Sequence, residues 1–305
     1  MSAAKYIELP GRGVLRVSGA DARGFLQGLI TNDVDKLSPV LALQSAFLTP
    51  QGKYLVDFAM VELAGEILLE CERARLPDFQ KRLRMYKLRA KVELADASDD
   101  YRCFAVWGGD ATALLGLATE RGAAAKLGGG IAYVDPRLAE IGARVLLPAD
   151  LGTAPLSGLG LEAGDVSAYE HLRLSLGLPD GSRDLMVDKT VLMEAGFDEL
   201  NAIDWQKGCY MGQEVTARTR YRGLVKRRLV PVRLDGAAPK TGTPITEGER
   251  QVGEIRSTSG DMALAELRVD AIQAGRPLVA GDAMATPIVP DWMHLPEPAE
   301  TAVSE

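Results

Sequence analysis

Cysteine is scarce in these 305 residues: three, at 71, 103 and 209, far apart along the chain. That spacing excludes a disulfide framework and a paired-cysteine metal motif. Histidine is scarcer still, at 171 and 294 only, and neither sits in a motif that pairs it with a cysteine. A Cys–His nucleophile therefore has no support. No run of eighteen apolar residues occurs, which argues against a membrane span. Residues 1–8 (MSAAKYIE) carry neither an apolar signal core nor a basic amphipathic presequence. The one glycine cluster, Gly128 to Gly130, lacks the dinucleotide fingerprint and the P-loop lysine, and reads as a turn. These absences lead us to expect a cytoplasmic protein with no membrane partner and no permanently bound metal. The net charge of −7 excludes broad coating of nucleic acid, though not a local RNA contact.

What is present is an ordinary globular mixture, 47% apolar and 25% charged, long enough for two or three domains. Strand patterns at 6–9 and 13–17 precede a short helix with Phe25, Leu26 and Leu29 on its apolar face. Strands follow at 43–48, 54–63 and 66–71. Leu76, Phe79, Leu83 and Tyr86 then mark a helix, and 90–94 another strand. These elements run β-β-α-β-β-β-α-β, which reads as a split βαβ arrangement, so an α+β unit is expected over 1–98. Lys81, Arg82, Arg84, Lys87, Arg89 and Lys91 read as a solvated basic face rather than a ligand site.

A second α+β portion spans 99–223, with strands near 102–107, 131–134 and 144–147 and a helix at 111–118. A linker-like stretch covers 148–164. Asp165 can cap the next helix; Val166, Tyr169, Leu172 and Leu176 are its expected buried face, with Glu170 and Arg173 polar-facing. Short strands punctuated by glycine and proline over 224–290 read as an antiparallel β-barrel, and 291–305 as a frayed acidic tail.

The chain is organised around residues 206–215, QKGCYMGQEV. Two glycines, a thiol, an amide, a carboxylate and a lysine within eight residues, Lys207 to Glu214, make a shaped loop rather than a core element. From Lys207 to Arg228 there are seven basic residues against one acid, a local reversal of the chain's sign that suits an anionic ligand or a solvated basic face. Gly208 gives the backbone room at Cys209, and Lys207 favours a thiolate there.

Lys207-Gly208-Cys209-Tyr210-x-Gly212-Gln213-Glu214 resembles, in full, the signature of the YgfZ/Iba57/Caf17 family, relatives of the aminomethyltransferase (T-protein) of glycine cleavage. The resemblance implies a tetrahydrofolate-binding protein that assists iron–sulfur cluster assembly or repair, with its α+β portions and barrel set around a central cleft. Its partners would be folate, iron–sulfur enzymes or cluster carriers and, in one variant, tRNA-modifying enzymes. Leu192-Met193-Glu194-Ala195-Gly196 resembles the T-protein folate segment, which casts Glu194 as the carboxylate at the pterin; its other reading is a capping or exposed acid. Tyr210 would cover the aromatic part of folate or anchor the loop, and Arg220, Arg222 or Arg227 would receive the tail carboxylates. Cys209 is the functional thiol of the signature, but one cysteine is not a cluster site, so further ligands would come from a partner.

The T-protein Asp-Asp region registers here with Val56 at the first aspartate, leaving Asp57. Valine cannot orient or accept a proton from a reacting amine. A folate-dependent aminomethyl- or methyltransferase is thus the weaker alternative to an assembly factor. A tRNA-modification accessory protein using the 218–228 basic run is a second.

Overall fold

A computed structural model describes residues 3–223 and 225–296, so part of the expected 291–305 tail, 297–305, lies outside the described residues. Two open sheets and a barrel account for most of the chain. The first sheet runs Leu43–Leu48, Tyr54–Leu63, Glu66–Glu72, Arg12–Ser18, Glu93–Asp96, with every pairing antiparallel. Its apolar face packs on the helix Leu76–Lys87 through Leu76, Phe79 and Leu83, and the Phe58 and Phe79 rings stack at 5.1 Å. The 3.6-residue spacing in the sequence is what buries these three together.

The second sheet runs Glu162–Ala163, Lys5–Glu8, Tyr101–Trp107, Ala143–Pro148, Gly130–Val134, Ala124–Leu127. Lys5–Glu8, which the sequence groups with 1–98, pairs here with Tyr101–Trp107 and Glu162–Ala163. The Leu9–Arg12 turn then carries the chain across to the first sheet. The stretch 148–164, expected as a linker, contains a short helix at Ala154–Gly158 and this edge strand. Arg227–Asp235, Met262–Arg268, Arg250–Ser259, Pro244–Glu247, Leu278–Ala280 and Ala283–Pro287 close into a six-stranded antiparallel barrel. At 291–296 the chain is not frayed: Met293 is buried in the barrel core, and the Trp292 Nε1 donates to the Leu176 carbonyl at 2.8 Å.

The helix Val166–Ser175 corrects the expected face. Asp165 caps it, accepting from the Ser167 amide at 2.7 Å, as its sequence position suggested. Yet Val166 is exposed, and the buried residues are Tyr169, Arg173 and Leu174. Arg173, expected to face water, is 2% exposed. It can be buried because its guanidinium donates to Asp184 at 2.7 Å and to the Leu178 carbonyl at 2.6 Å, and pairs with Glu170 at 3.1 Å.

Arg173 belongs to a charge network that ties the three parts together. Glu70 of the first sheet receives Arg12 at 2.8 Å and, from the second sheet, Arg144 at 3.3 Å and the Tyr133 hydroxyl. Burial works against the Glu70 carboxylate, but Arg12 and Arg144 outweigh it and hold its pKa below the usual range. Burial likewise opposes Asp135, and the guanidiniums of Arg137 and Arg144 hold it down at about 2. Asp184 accepts from Arg173 and from Ser257 of the barrel. The void among Arg12, Asp57, Glu70 and Asp135 is about 10 Å³, room for one water.

After the helix Leu76–Lys87 the chain reverses in a turn in which the Ala90 amide donates to the Lys87 carbonyl at 2.8 Å. Leu88 sits there with φ 44° and ψ −110°, the first central position of a type II′ turn, where glycine is favoured. A leucine in this conformation costs on the order of 1–3 kcal/mol.

Candidate functional site

The signature loop is built on Asp204. Its carboxylate accepts the amides of Gln206 at 2.8 Å and Lys207 at 3.1 Å, and pairs with Lys36. Lys207 then reaches back to the first α+β portion, its Nζ donating to the carbonyls of Ile30 and Asn32 at 2.7 Å each. The same ammonium lies 5.3 Å from the centre of the Tyr210 ring. The Met211 amide donates to the Gly28 carbonyl at 3.1 Å, and Gly212, at φ 84°, turns the chain into the helix Gln213–Tyr221. Between these anchors Cys209 is exposed, and a side chain at Gly208 would meet nothing within 4 Å. The loop therefore presents one thiol to solvent from a tethered backbone.

Burial pushes the Lys207 ammonium down to about 8, against the pull of Asp33, Asp204 and Asp35. Because that lies below the ordinary lysine value, the folded chain holds fewer protons than the unfolded chain between about pH 8 and 10.4. This group therefore makes stability rise with pH across that window. We expect amine-labelling of Lys207, followed by mass spectrometry, to switch on with a midpoint near pH 8, well before the exposed lysines. A midpoint above 10 would remove the burial effect.

The other residues singled out in the sequence are scattered around this loop. Tyr210 is buried in a core that includes Leu48, Tyr54 and Phe197, and burial raises its hydroxyl to about 12. Glu194 lies in the 3₁₀ turn Leu192–Ala195 and borders a void of about 10 Å³ with Asp184, Arg256 and Glu266. Burial, then Glu266, raises its pKa. Arg227 pairs with Glu266 at 3.3 Å, Arg222 is exposed, and Arg228 is buried on Glu199 at 2.8 Å and the Met193 carbonyl at 2.9 Å. The basic run 218–228 is thus divided between core, barrel wall and solvent. Cys209 and Glu194 border no common cavity among those described. The two segments share one core, Leu192, Met193 and Ala195 packing in the same cluster as Tyr210, while Glu194 itself is half-buried.

Arg220 is the exception. Its guanidinium lies 4.1 Å over the Trp205 ring and 3.6 Å from Asp198, which also accepts the indole N–H at 2.5 Å. Trp205, Arg220, Gln206, Lys36, Leu43 and Ile203 border an open cleft of about 530 Å³ beside the loop. The sequence reading passed over Trp205 and Lys36. The available signal was an indole two residues before the signature. Asn32, also at this cleft, is spent on structure: its amide nitrogen donates to the carbonyls of Gln44 at 2.7 Å and Asn201 at 2.9 Å.

Val56 is buried in the first core, and Asp57 accepts from the Tyr54 hydroxyl at 2.8 Å and Gln44 at 3.2 Å beside the one-water void. Cys71 and Cys103 are buried, and burial pushes the Cys71 thiol up to about 12. No group of three or more His, Cys, Asp or Glu among the described residues is placed to hold a metal, and no described helix is long and apolar enough to cross a membrane.

Two sheets and a closed barrel, joined through a buried charge network, define a protein of the T-protein architecture. Aminomethyltransferase T of the glycine cleavage system from Bartonella henselae has this fold, with a TM-score of 0.75 over 94% of this chain and 85% of that one, at 18% identity. The GCVT N-terminal domain family matches residues 2–142, and the CAF17 C-terminal beta-barrel domain family matches 226–295. The human mitochondrial iron–sulfur cluster assembly factor IBA57 is 34% identical over 308 residues, covering 93% of this chain and 84% of the relative. The mouse protein is 32% identical over 312 residues with the same coverage. The chain belongs to the YgfZ/Iba57/Caf17 family. These relatives are assembly factors by name, not aminomethyltransferases. They are also mitochondrial, as is the Neurospora crassa homologue, which overturns the expected cytoplasmic placement.

Proposed function

We propose that this chain is a tetrahydrofolate-binding accessory protein for iron–sulfur cluster assembly or repair. The observation that carries it is the tethered signature loop, which exposes Cys209 and brings Gln206 to the wall of a cleft of folate size. The donor set suits a reduced folate better than the void at Glu194 does. Trp205 offers an aromatic face for stacking, Gln206 an amide for hydrogen bonds, and Lys36 and Arg220 cations for the tail carboxylates. Bound folate would supply a one-carbon carrier. The chain's own part is to hold it by stacking and charge, and to keep the thiol clear of the core. Cys209 would serve a cluster whose remaining ligands come from the partner, since a single thiolate is not a coordination set. With Val56 in the core and Asp57 sealed beside a one-water void, no side chain at that position is placed to take a proton from an amine.

Calorimetric titration of tetrahydrofolate into the purified chain tests the first half. We expect saturable 1:1 binding, weakened about tenfold, or about 1.4 kcal/mol, in Trp205→Ala. No binding to the wild type would overturn the folate reading. Glu194→Ala separates two placements: unchanged affinity keeps the ligand beside Trp205, and a loss moves the pterin to Glu194. In cells, Cys209→Ala should lower iron–sulfur enzyme activities at equal protein abundance while leaving folate affinity intact. Normal activities would remove the thiol from the function.

A further inference from the structure

Residues 81–91 carry six cations and no acid, in a chain of net charge −7. Arg82 is held by Asp78 at 2.9 Å. Among the described residues no carboxylate oxygen lies within 4 Å of the cationic groups of Lys81, Arg84, Lys87, Arg89 or Lys91. The same surface exposes apolar side chains: Met85 at 60% and Leu88 at 88%. Leu88 is the more telling, because the strained turn position it occupies would suit glycine and its side chain packs on little of the fold. An exposed leucine held at an energetic cost, flanked by Lys87 and Arg89, has the make-up of an interface anchor with a charged surround.

The helix that bears this surface and the signature loop pack on one core, Phe79 and Leu83 of the helix sharing it with Met211, two residues after Cys209. The Tyr86 ring stands edge-on to Phe47 at 6.2 Å, Phe47 bridges to Ile30, and the Ile30 carbonyl holds Lys207. We propose that Met85, Leu88 and the cations of 81–91 form a docking face for an acidic surface of a protein partner, the one that approaches the Cys209 thiol. This rests on the assembly-factor reading. Charge complementarity selects an acidic surface, and the assembly role on which the proposal rests selects a protein over a bilayer or a nucleic acid. The cations steer encounter, and Leu88 and Met85 give the contact its apolar centre.

The test uses the full chain with Lys81→Glu/Arg84→Glu/Arg89→Glu and, separately, Leu88→Gly. Poly-L-glutamate is the acidic probe, followed by anisotropy. Wild type should bind it in low salt, and the triple variant about tenfold more weakly. In cells the triple variant should lower iron–sulfur enzyme activities to the Cys209→Ala level while its tetrahydrofolate affinity stays unchanged. Leu88→Gly should relieve strain and raise the melting temperature, yet lower those activities, a pairing that a merely structural leucine would not give. Normal activity in the triple variant, with Cys209→Ala impaired, overturns the docking face and leaves the proposed function standing. Normal activity in both overturns the assembly reading itself. Binding of wild type, but not the triple variant, to phosphatidylserine vesicles would make this a membrane contact and overturn the protein partner.

Discussion

Arg173→Ala should destabilise the protein by about 3–5 kcal/mol, the range for breaking a buried ion pair from one side. The arginine is 2% exposed and its partner Asp184 is 0% exposed at the side chain. Removing the guanidinium leaves the Asp184 carboxylate without its cation, and the Leu178 carbonyl without a donor at 2.6 Å. Asp184 also joins the barrel through Ser257, so the loss should loosen the barrel from the helix Val166–Ser175. Urea unfolding followed by circular dichroism measures the effect through the midpoint at constant slope. The double replacement Arg173→Met/Asp184→Leu should recover much of the loss, because it removes both charges rather than stranding one. A single-variant loss below about 1 kcal/mol would mean that the carboxylate finds another partner or water.

Gly212→Val should release the signature loop and abolish function. Gly212 has φ 84°, and a Cβ built on it would lie 2.6 Å from the Thr49 carbonyl oxygen and 3.1 Å from the Gly52 Cα. Gly52 is its mirror: φ 73°, with a built Cβ 2.7 Å from the Gly212 carbonyl oxygen. Two glycines from distant parts of the chain thus pack backbone on backbone, and neither tolerates a side chain. The left-handed conformation alone costs a β-branched residue about 1–2 kcal/mol, and the backbone clash comes on top. We expect iron–sulfur enzyme activities as low as those of Cys209→Ala, together with weaker folate binding, since the loop also carries Gln206 to the cleft. Proteolysis should cut the variant at 206–213 where the wild type resists. A variant with wild-type activity and an uncut loop would show that the glycine contact is not what holds the thiol in place.

The signature loop was legible because rare residue types stand there in a fixed order, and the barrel because its short strands are punctuated by glycine and proline. Arg173 was not. One-dimensional periodicity assigns a charge to the wet face unless a buried partner is known, and Asp184 is eleven positions away across a helix end. Val166 failed in the opposite sense: it fits the apolar spacing, yet the first turn of its helix stands clear of the core. The cleft at Trp205 needed Lys36 and Leu43 from the first α+β portion and Arg220 from the far side of the signature. No local pattern records such a meeting. The family likeness drew attention to Glu194, and only the folded chain shows that it borders a void of about 10 Å³ with Asp184, Arg256 and Glu266.

The placement of Lys5–Glu8 has a consequence for how the protein is made. These residues precede the first sheet in the chain, but their hydrogen-bonding partners are Tyr101–Trp107 and, on the other edge, Glu162–Ala163. The first sheet can assemble while Lys5–Glu8 waits for Tyr101–Trp107 to close one of its edges and, later in the chain, for Glu162–Ala163 to close the other. The late return locks early and late sequence into one folding unit through contacts of long sequence separation, the kind that form slowly. In the interval the unpaired segment is a natural target for a holding chaperone, and a cut between the two sheets would leave neither half with a complete set of strands.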